Sequence, residues 1–442
     1  MQTKVGKNDG RRTSYVWLPY IVLSTYILFT MLISMFGPIE YPNYTAERKF
    51  VVVLYMGAFL VITWIGMLRN AKYKSNDVYK KEGVRYRKTI RCVSITITIV
   101  MIIKLLLLAS SISMHGVPTF TSVLRTLAQV YTDLHREEPI GNIYRQIDSL
   151  TTFLSYIATI GGLFVWKDLR NPIRFFLVIA LLADFTYDLF YIGTQRGIFS
   201  YVIYAVMIYV VAVVRKKGSF RIKNVIFASL IVLMTFFIFS NILGARLEYW
   251  GSTRPLALRS GVTYNLEHPL LWIFPDRLKY QMTAILSYPT QGYYGLSLCL
   301  AIPFEWTYGI GASRGLNSVI NQVIPSIPIM IGKTYPLRAE AVWGYCGLAN
   351  WHTIFPWLAS DLTFLGALLY MGFVARIYMK CWKQVIEYNN PISFVLLSLL
   401  TVQYIFVPAN NQLFISRGDA VGTIVVFFTW LARNRKHNFV DL

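Results

Sequence analysis

Ten apolar stretches, each long enough to cross a bilayer as a helix, divide this chain: Tyr15 to Gly37, Phe50 to Leu68, Val93 to Met114, Leu150 to Trp166, Phe175 to Gly193, Ile198 to Val214, Val225 to Leu243, Phe355 to Tyr378, Ile392 to Val407 and Leu413 to Leu431. Inside lipid every backbone polar group must be paired within the protein, which leaves helices or a closed barrel. Continuous apolar runs of this length predict helices. The chain therefore reads as an all-α, polytopic integral membrane protein of about ten transmembrane helices. At 55% hydrophobic and only 14% charged, its composition agrees.

The loops fix an orientation. With a cytoplasmic N-terminus, the inner segments are Met1 to Ser14, Arg69 to Arg91, Lys167 to Arg174, Arg215 to Lys223, Arg376 to Lys383 and Arg433 to Leu442. They hold 27 of the 43 Lys/Arg and, with Glu387, 6 of the 21 Asp/Glu, so +21 of the formal +22 falls on one side. Positive charge retained on the cytoplasmic side is the expected signature of topology. No nucleic-acid partner is expected, because the basic excess is spread over inner loops. The first stretch follows four basic residues without a small-residue cleavage site, which predicts a retained helix, with both termini cytoplasmic. Cys92, Cys299, Cys346 and Cys381 form no CxxC pair or metal-ligand spacing and read as packing residues.

The chain, 1–442, reads as one membrane domain with two unusual outer segments. Residues 115–148 place Phe120, Val123, Leu124, Leu127, Val130, Tyr131 and Leu134 at helical spacing, as in an amphipathic helix lying flat on the outer surface. Such a helix either covers the bundle or touches substrate. Residues 245–354 form a large outer loop dense in aromatic side chains, and loops of that length usually carry function. Its middle, Tyr288 to Pro303, is too short to span but apolar enough to dip into the membrane. Re-entrant backbone needs protein or a wet cavity to satisfy it, which predicts a cavity open to the outer face.

The candidate chemistry lies with arginine. Thr194-Gln-Arg-Gly197 is the whole connection between two stretches and puts Arg196 at the outer mouth of a hairpin, just before a helix begins. A guanidinium beside the free N–H groups of a helix start suits a phosphate or diphosphate. Arg246, Arg254 and Arg259 follow the seventh stretch on the same side. Arg314 lies in Gly309-Ile-Gly-Ala-Ser-Arg-Gly315, and Arg417 sits at the outer end of the tenth stretch. Any single one could instead anchor a lipid headgroup or pair with a loop carboxylate.

Deeper in the membrane, Asp184 and Asp188 could share a stripe with Arg196, flanked by Tyr187 and Tyr191. Lys104 is the nearest counter-ion in depth, for function or simply to lock two helices. Candidate general bases on the outer side include His352, which enters the eighth stretch, and Asp361, about two turns further on. His352 could equally be a hydrogen-bonded structural group. Aromatics such as Tyr293, Tyr294 and Trp351 offer flat faces for sugar rings, or form an interfacial belt.

Gln291-Gly-Tyr-Tyr-Gly-Leu-Ser-Leu298, Tyr308-Gly-Ile-Gly311, Trp351-His-Thr353, Ala359-Ser-Asp361 and Gly366 together resemble the oligosaccharide repeat-unit polymerases, the Wzy-type enzymes of bacterial surface polysaccharides. The Gln-Arg-Gly turn at Arg196 resembles their outer arginine turn and that of the related O-antigen ligases. The resemblance implies a GT-C-like, metal-independent glycosyltransferase needing no cofactor. Its donor and acceptor would be oligosaccharides on undecaprenyl diphosphate, joined at the outer face of the inner membrane into an O-antigen or capsule. A chain-length regulator and a flippase are partners implied by the family. In that scheme Arg196, Arg254 and His352 are catalytic. Arg246, Arg259, Arg314, Arg417, Tyr293, Tyr294, Trp351 and Asp361 bind substrate. The alternatives are an O-antigen ligase, which shares the leaving group, and a flippase or other transporter. A transporter would ordinarily show internal repeats, and none is visible here.

Overall fold

A computed structural model describes residues 15–71, 84–116, 143–192, 196–217, 223–224, 226–227, 230, 261–324, 330–348 and 350–438. Helices α1 (Leu18–Phe36), α2 (Ala46–Ala71) and α3 (Val84–His115) come first. Next are α4 (Ile143–Leu150), α5 (Thr152–Phe164, with a π-helical turn at Ile157–Gly161) and α6 (Asn171–Tyr187, continued by the π-helical Asp188–Ile192). Helix α7 (Arg196–Lys217) follows. The second half holds α8 (Asp276–Ser287), α9 (Gln291–Cys299), α10 (Arg314–Val323), α11 (Tyr335–Trp343), α12 (Ile354–Tyr388), α13 (Pro391–Ile405) and α14 (Arg417–Asn438). Most of the seventh apolar stretch and most of the 115–148 segment lie outside the described residues, as do Arg246, Arg254 and Arg259.

The protein is an all-α membrane protein. Five helices among the described residues are long and apolar enough to cross a bilayer: Leu18–Phe36, Ala46–Leu68, Tyr86–Met114, Phe199–Lys216 and Ile354–Tyr388. Two shorter apolar helices, Thr152–Phe164 and Pro391–Ile405, stand beside them. The outward faces carry rows of large apolar side chains, including Val22, Phe29 and Leu32 on α1, Ile95, Ile99 and Leu106 on α3, and Leu365, Leu369 and Phe373 on α12. Water would not tolerate that much contiguous apolar surface, whereas lipid does.

Local sequence explains where these helices begin and turn. Proline stands in the first turn of α1, α6, α11 and α13, where its missing N–H costs nothing. Asn389 closes α12 in the left-handed conformation (φ 56°), and Asn390 caps α13 by accepting from the N–H groups of Ile392 and Ser393. Two asparagines thus make the whole turn between long helices.

Packing depends on small residues. At the crossing of α2 and α12, a Cβ on Gly66 would lie 2.2 Å from the carbonyl oxygen of Gly372, so the two backbones touch. On α14, Gly418 and Gly422 form a small-xxx-small face against α4 and α5. A Cβ on Gly418 would lie 2.5 Å from Thr152 Oγ1. Helix α3 packs along α6 over a second core built from Val93, Ile97, Val100, Leu177 and Ala180.

The long 245–354 segment is tied to the chain just after α1 by a two-residue antiparallel ladder, Ile39 opposite Tyr264 and Glu40 opposite Thr263. Its expected re-entrant middle is α9, a nine-residue helix in which every residue is buried. At about 1.5 Å per residue it is too short to cross a bilayer, and protein surrounds it.

The eighth apolar stretch departs from its expected form. Helix α12 runs 35 residues but breaks at Thr363, where φ is 63°. Ile354 to Ser360 form a wholly buried arm ahead of the break, and the spanning part follows it. Asp361 stands about two turns into this helix, as expected, two residues ahead of the break.

Candidate functional site

Two helices start side by side at one end of the bundle. Helix α10 begins at Arg314 and α14 at Arg417, and a Cβ on Gly315 would lie 2.2 Å from the carbonyl oxygen of Ser416 and 2.9 Å from the backbone nitrogen of Arg417. Only glycine permits that approach. Ser313 caps α10 by accepting from the Leu316 N–H, and its hydroxyl donates to the Phe414 carbonyl (3.0 Å), stitching the two starts together. Asn411, buried in the 406–416 connection, donates to the Ala312 carbonyl at 2.7 Å and accepts from Gln403 at 2.8 Å. Ser313 caps the Leu316 N–H of one start and Ser416 the Asp419 N–H of the other, and each helix start carries a partial positive charge.

Arg314 is half-buried and lies over the face of Trp357, 6.0 Å from the ring centroid. It forms no ion pair among the described residues. Burial pushes its guanidinium below the ordinary arginine pKa. A partly dehydrated cation with no counter-ion among the described residues, beside two helix N-termini, is chemically suited to an anion.

Arg196 opens α7. A Cβ on the next residue, Gly197, would lie 2.1 Å from Asp188 Oδ2, so the Asp188 carboxylate is seated against the start of α7. Asp188 begins a π-helical turn, a geometry often found at functional sites. A row of half-buried aromatic rings links this start to the outer loop. Phe199 meets Phe406 edge to face at 6.2 Å, Phe406 lies 6.2 Å from Trp351, and Trp351 meets Tyr288 at 5.6 Å. Trp351 thus remains a candidate sugar platform. Tyr288 and Phe406 join it without any sequence signal beyond being aromatic.

Several expected site residues are engaged elsewhere. Tyr293 is wholly buried, with its hydroxyl 2.8 Å from Thr30 Oγ1 on α1. Tyr294 is sealed by Tyr41, stacked at 4.9 Å, and by Tyr345 edge-on at 5.0 Å. Neither offers a face to a sugar, because α9 is enclosed on every side. Asp361 accepts from the Gly309 N–H (2.9 Å) and the Ala312 N–H (2.7 Å), with Thr307 Oγ1 also in reach. Both its oxygens hold the loop that delivers Arg314, a positioning role rather than contact with substrate.

His352 is 1% exposed. Its Nδ1 lies 3.8 Å from Cys299 Sγ, and its ring packs against Gly295, where a Cβ would come within 2.7 Å of Nδ1. Burial keeps the imidazole neutral and pushes its pKa down to about 3. Enclosed by Gly295 and Cys299, this imidazole presents no nitrogen to a substrate hydroxyl, and the structure does not support the expected catalytic role.

The deep Lys–Asp pair is present in a fuller form. Lys104 Nζ lies 2.6 Å from Asp184 Oδ1 and 2.6 Å from Asp148 Oδ1, and Tyr201 donates to Asp184.

No family model, curated protein or solved structure matches the chain.

Proposed function

We propose that this protein is a repeat-unit polymerase that joins oligosaccharides carried on undecaprenyl diphosphate into a surface polysaccharide at the outer face of a bacterial inner membrane. The observation that carries the reading is Arg314, a half-buried guanidinium with no carboxylate partner among the described residues, where the α10 and α14 N-termini abut. Charge grows on the departing diphosphate in the transition state, and donors fixed in advance stabilise it there more than in the ground state. Arg314 and Arg417 hold the diphosphate in this reading. Arg196, at the far end of the aromatic row, acts on the same group. Trp351 takes a sugar ring against its face.

In the reaction the acceptor hydroxyl oxygen bonds to the anomeric carbon as the bond from that carbon to the diphosphate oxygen breaks. The anomeric centre inverts, the hydroxyl proton leaves to water, and undecaprenyl diphosphate departs. No general base is assigned. The fold in this reading has about ten transmembrane helices in a GT-C-like arrangement, with cytoplasmic termini and the 245–354 loop outside.

The experiment is complementation of a strain lacking the gene with wild type, Arg196→Ala, Arg196→Lys and Arg314→Ala at equal membrane levels, followed by gel analysis of the surface glycan. Single repeat units on the final carrier in the deletion strain, with the ladder restored by wild type alone, support the polymerase. Long polymer retained on its lipid carrier in the deletion strain means a ligase. Single lipid-linked units trapped at the inner leaflet mean a transporter.

A further inference from the structure

The buried Lys104 has a role that the proposed reaction does not itself use. It lies between two carboxylates on different helices, and each of those helices supports the start of one arginine-bearing helix.

On one side is Asp184 of α6, which binds Lys104 at 2.6 Å and accepts the hydroxyl of Tyr201 on α7. Tyr201 lies in the second turn of the helix that Arg196 opens. One turn outward from Asp184, Asp188 of the same segment is seated against Gly197, where no side chain fits. Helix α6 thus fixes the start of α7 at two points, and Lys104 holds α6.

On the other side is Asp148 of α4, which binds Lys104 at 2.6 Å. The next residue, Ser149, and Thr152 beyond it form the surface on which α14 begins. A Cβ on Gly418 would lie 3.1 Å from the Ser149 carbonyl oxygen and 2.5 Å from Thr152 Oγ1. Tyr156, one turn on, donates to Asp419 of α14. The α4–α5 junction thus fixes the start of α14, where Arg417 stands.

We infer that Lys104 is a positioning residue: by binding Asp184 and Asp148 together it fixes the start of α7, which Arg196 opens, relative to the start of α14, which Arg417 opens. The inference rests on the proposed function. The physical reason is stiffness. In low-dielectric surroundings an ammonium shared by two carboxylates is held strongly and resists displacement of either helix. An apolar contact would allow the helices to slide.

The test is a set of double-mutant cycles on the full chain in nanodiscs, read as binding of undecaprenyl diphosphate, with undecaprenol as the control lacking phosphate. Asp148→Asn and Asp184→Asn are each combined with Arg417→Ala and with Arg196→Ala. Each Asn variant leaves Lys104 one carboxylate partner. We expect Asp148→Asn to weaken binding about tenfold in wild type but less than about twofold in Arg417→Ala, and to be additive with Arg196→Ala. Asp184→Asn should show the reverse pattern. A support that is merely structural would lower affinity without choosing between the arginines, so additivity in all four pairings overturns the inference.

A fully neutral variant, Lys104→Met with Asp148→Asn and Asp184→Asn, covers the case in which a single Asn variant fails to fold. It should keep the wild-type melting temperature and bind more weakly than either single variant. Wild-type affinity in this variant overturns the inference while leaving the proposed function standing. If Arg196→Ala and Arg417→Ala both bind undecaprenyl diphosphate like wild type, the proposed function fails and the inference with it.

Discussion

Gly315→Ala is the sharpest test of the junction between α10 and α14. The new methyl group would lie 2.2 Å from the Ser416 carbonyl oxygen and 2.5 Å from its carbon, both backbone atoms that no rotamer change can move aside. Restoring ordinary contact needs the two helix starts to separate by about 1 Å. Overpacking of this kind costs about 1–3 kcal/mol, which in a chain of this size lowers the melting temperature in detergent by roughly 2–6 °C. The effect on an anion is separable. Moving one guanidinium from about 4 to about 5 Å, at an effective dielectric constant near 20, loses about 0.8 kcal/mol, or about fourfold in affinity. The assay is binding of undecaprenyl diphosphate in nanodiscs, with thermal unfolding measured in parallel. Gly332→Ala serves as the control, because a Cβ there meets nothing within 4 Å. If Gly315→Ala melts lower yet binds the diphosphate with unchanged affinity, the anion does not sit between these helix starts.

Three further outcomes follow from the site. His352, buried with its pKa pushed down to about 3, is neutral in the folded protein, whereas the unfolded chain takes up a proton near pH 6.5. Its contribution to stability therefore falls as pH drops from about 6.5 towards 3, by about 1.4 kcal/mol per pH unit; melting curves at pH 5 and 7 should show His352→Gln lacking that slope, and loss of an acid limb in its pH–rate profile would restore the base role. Asp361→Asn removes charge from a carboxylate that accepts two backbone N–H groups; it should cost about 1–3 kcal/mol and increase proteolysis within 303–313, and unchanged protection would show that the loop does not need this anchor. Trp351→Ala should raise KM for the acceptor at an unchanged melting temperature, while Tyr294→Ala, which removes an enclosed ring, should melt lower by several degrees; the opposite pattern would exchange their roles.

Much of the fold is legible in the residues because lipid imposes a one-dimensional rule. A backbone that must satisfy itself becomes a helix wherever apolar residues run long enough, so α1, α2, α3 and α6 follow from hydropathy and first-turn prolines mark the starts of α1 and α6, although α3 begins at Val84, nine residues ahead of its apolar stretch. The Lys104–Asp184 pair is legible for a related reason: a charge deep in an apolar stretch needs a partner at the same depth. Arg314 and Arg417 could be singled out as boundary arginines beside glycine.

Position in three dimensions is what the residues withhold. His352 and Tyr294 look like site residues in the chain, since imidazole and phenol suit proton transfer and sugar stacking, yet α9 and Tyr345 enclose both. Whether a reactive group meets solvent or a core depends on segments distant in the chain: Tyr41 against Tyr294, or Gly295 against His352. Asp361 becomes a loop anchor because Thr363 breaks α12, and one left-handed residue leaves no periodic signal. The Gly418-x-x-x-Gly422 spacing could have been found, but not its partners on α4 and α5. The sequence by itself determined a helical membrane protein with Arg196 at a helix start, because burial in lipid and backbone pairing are local requirements. Only the tertiary structure decided which of the candidate arginines stand together, because that depends on contacts between distant helices packed to within a methyl group.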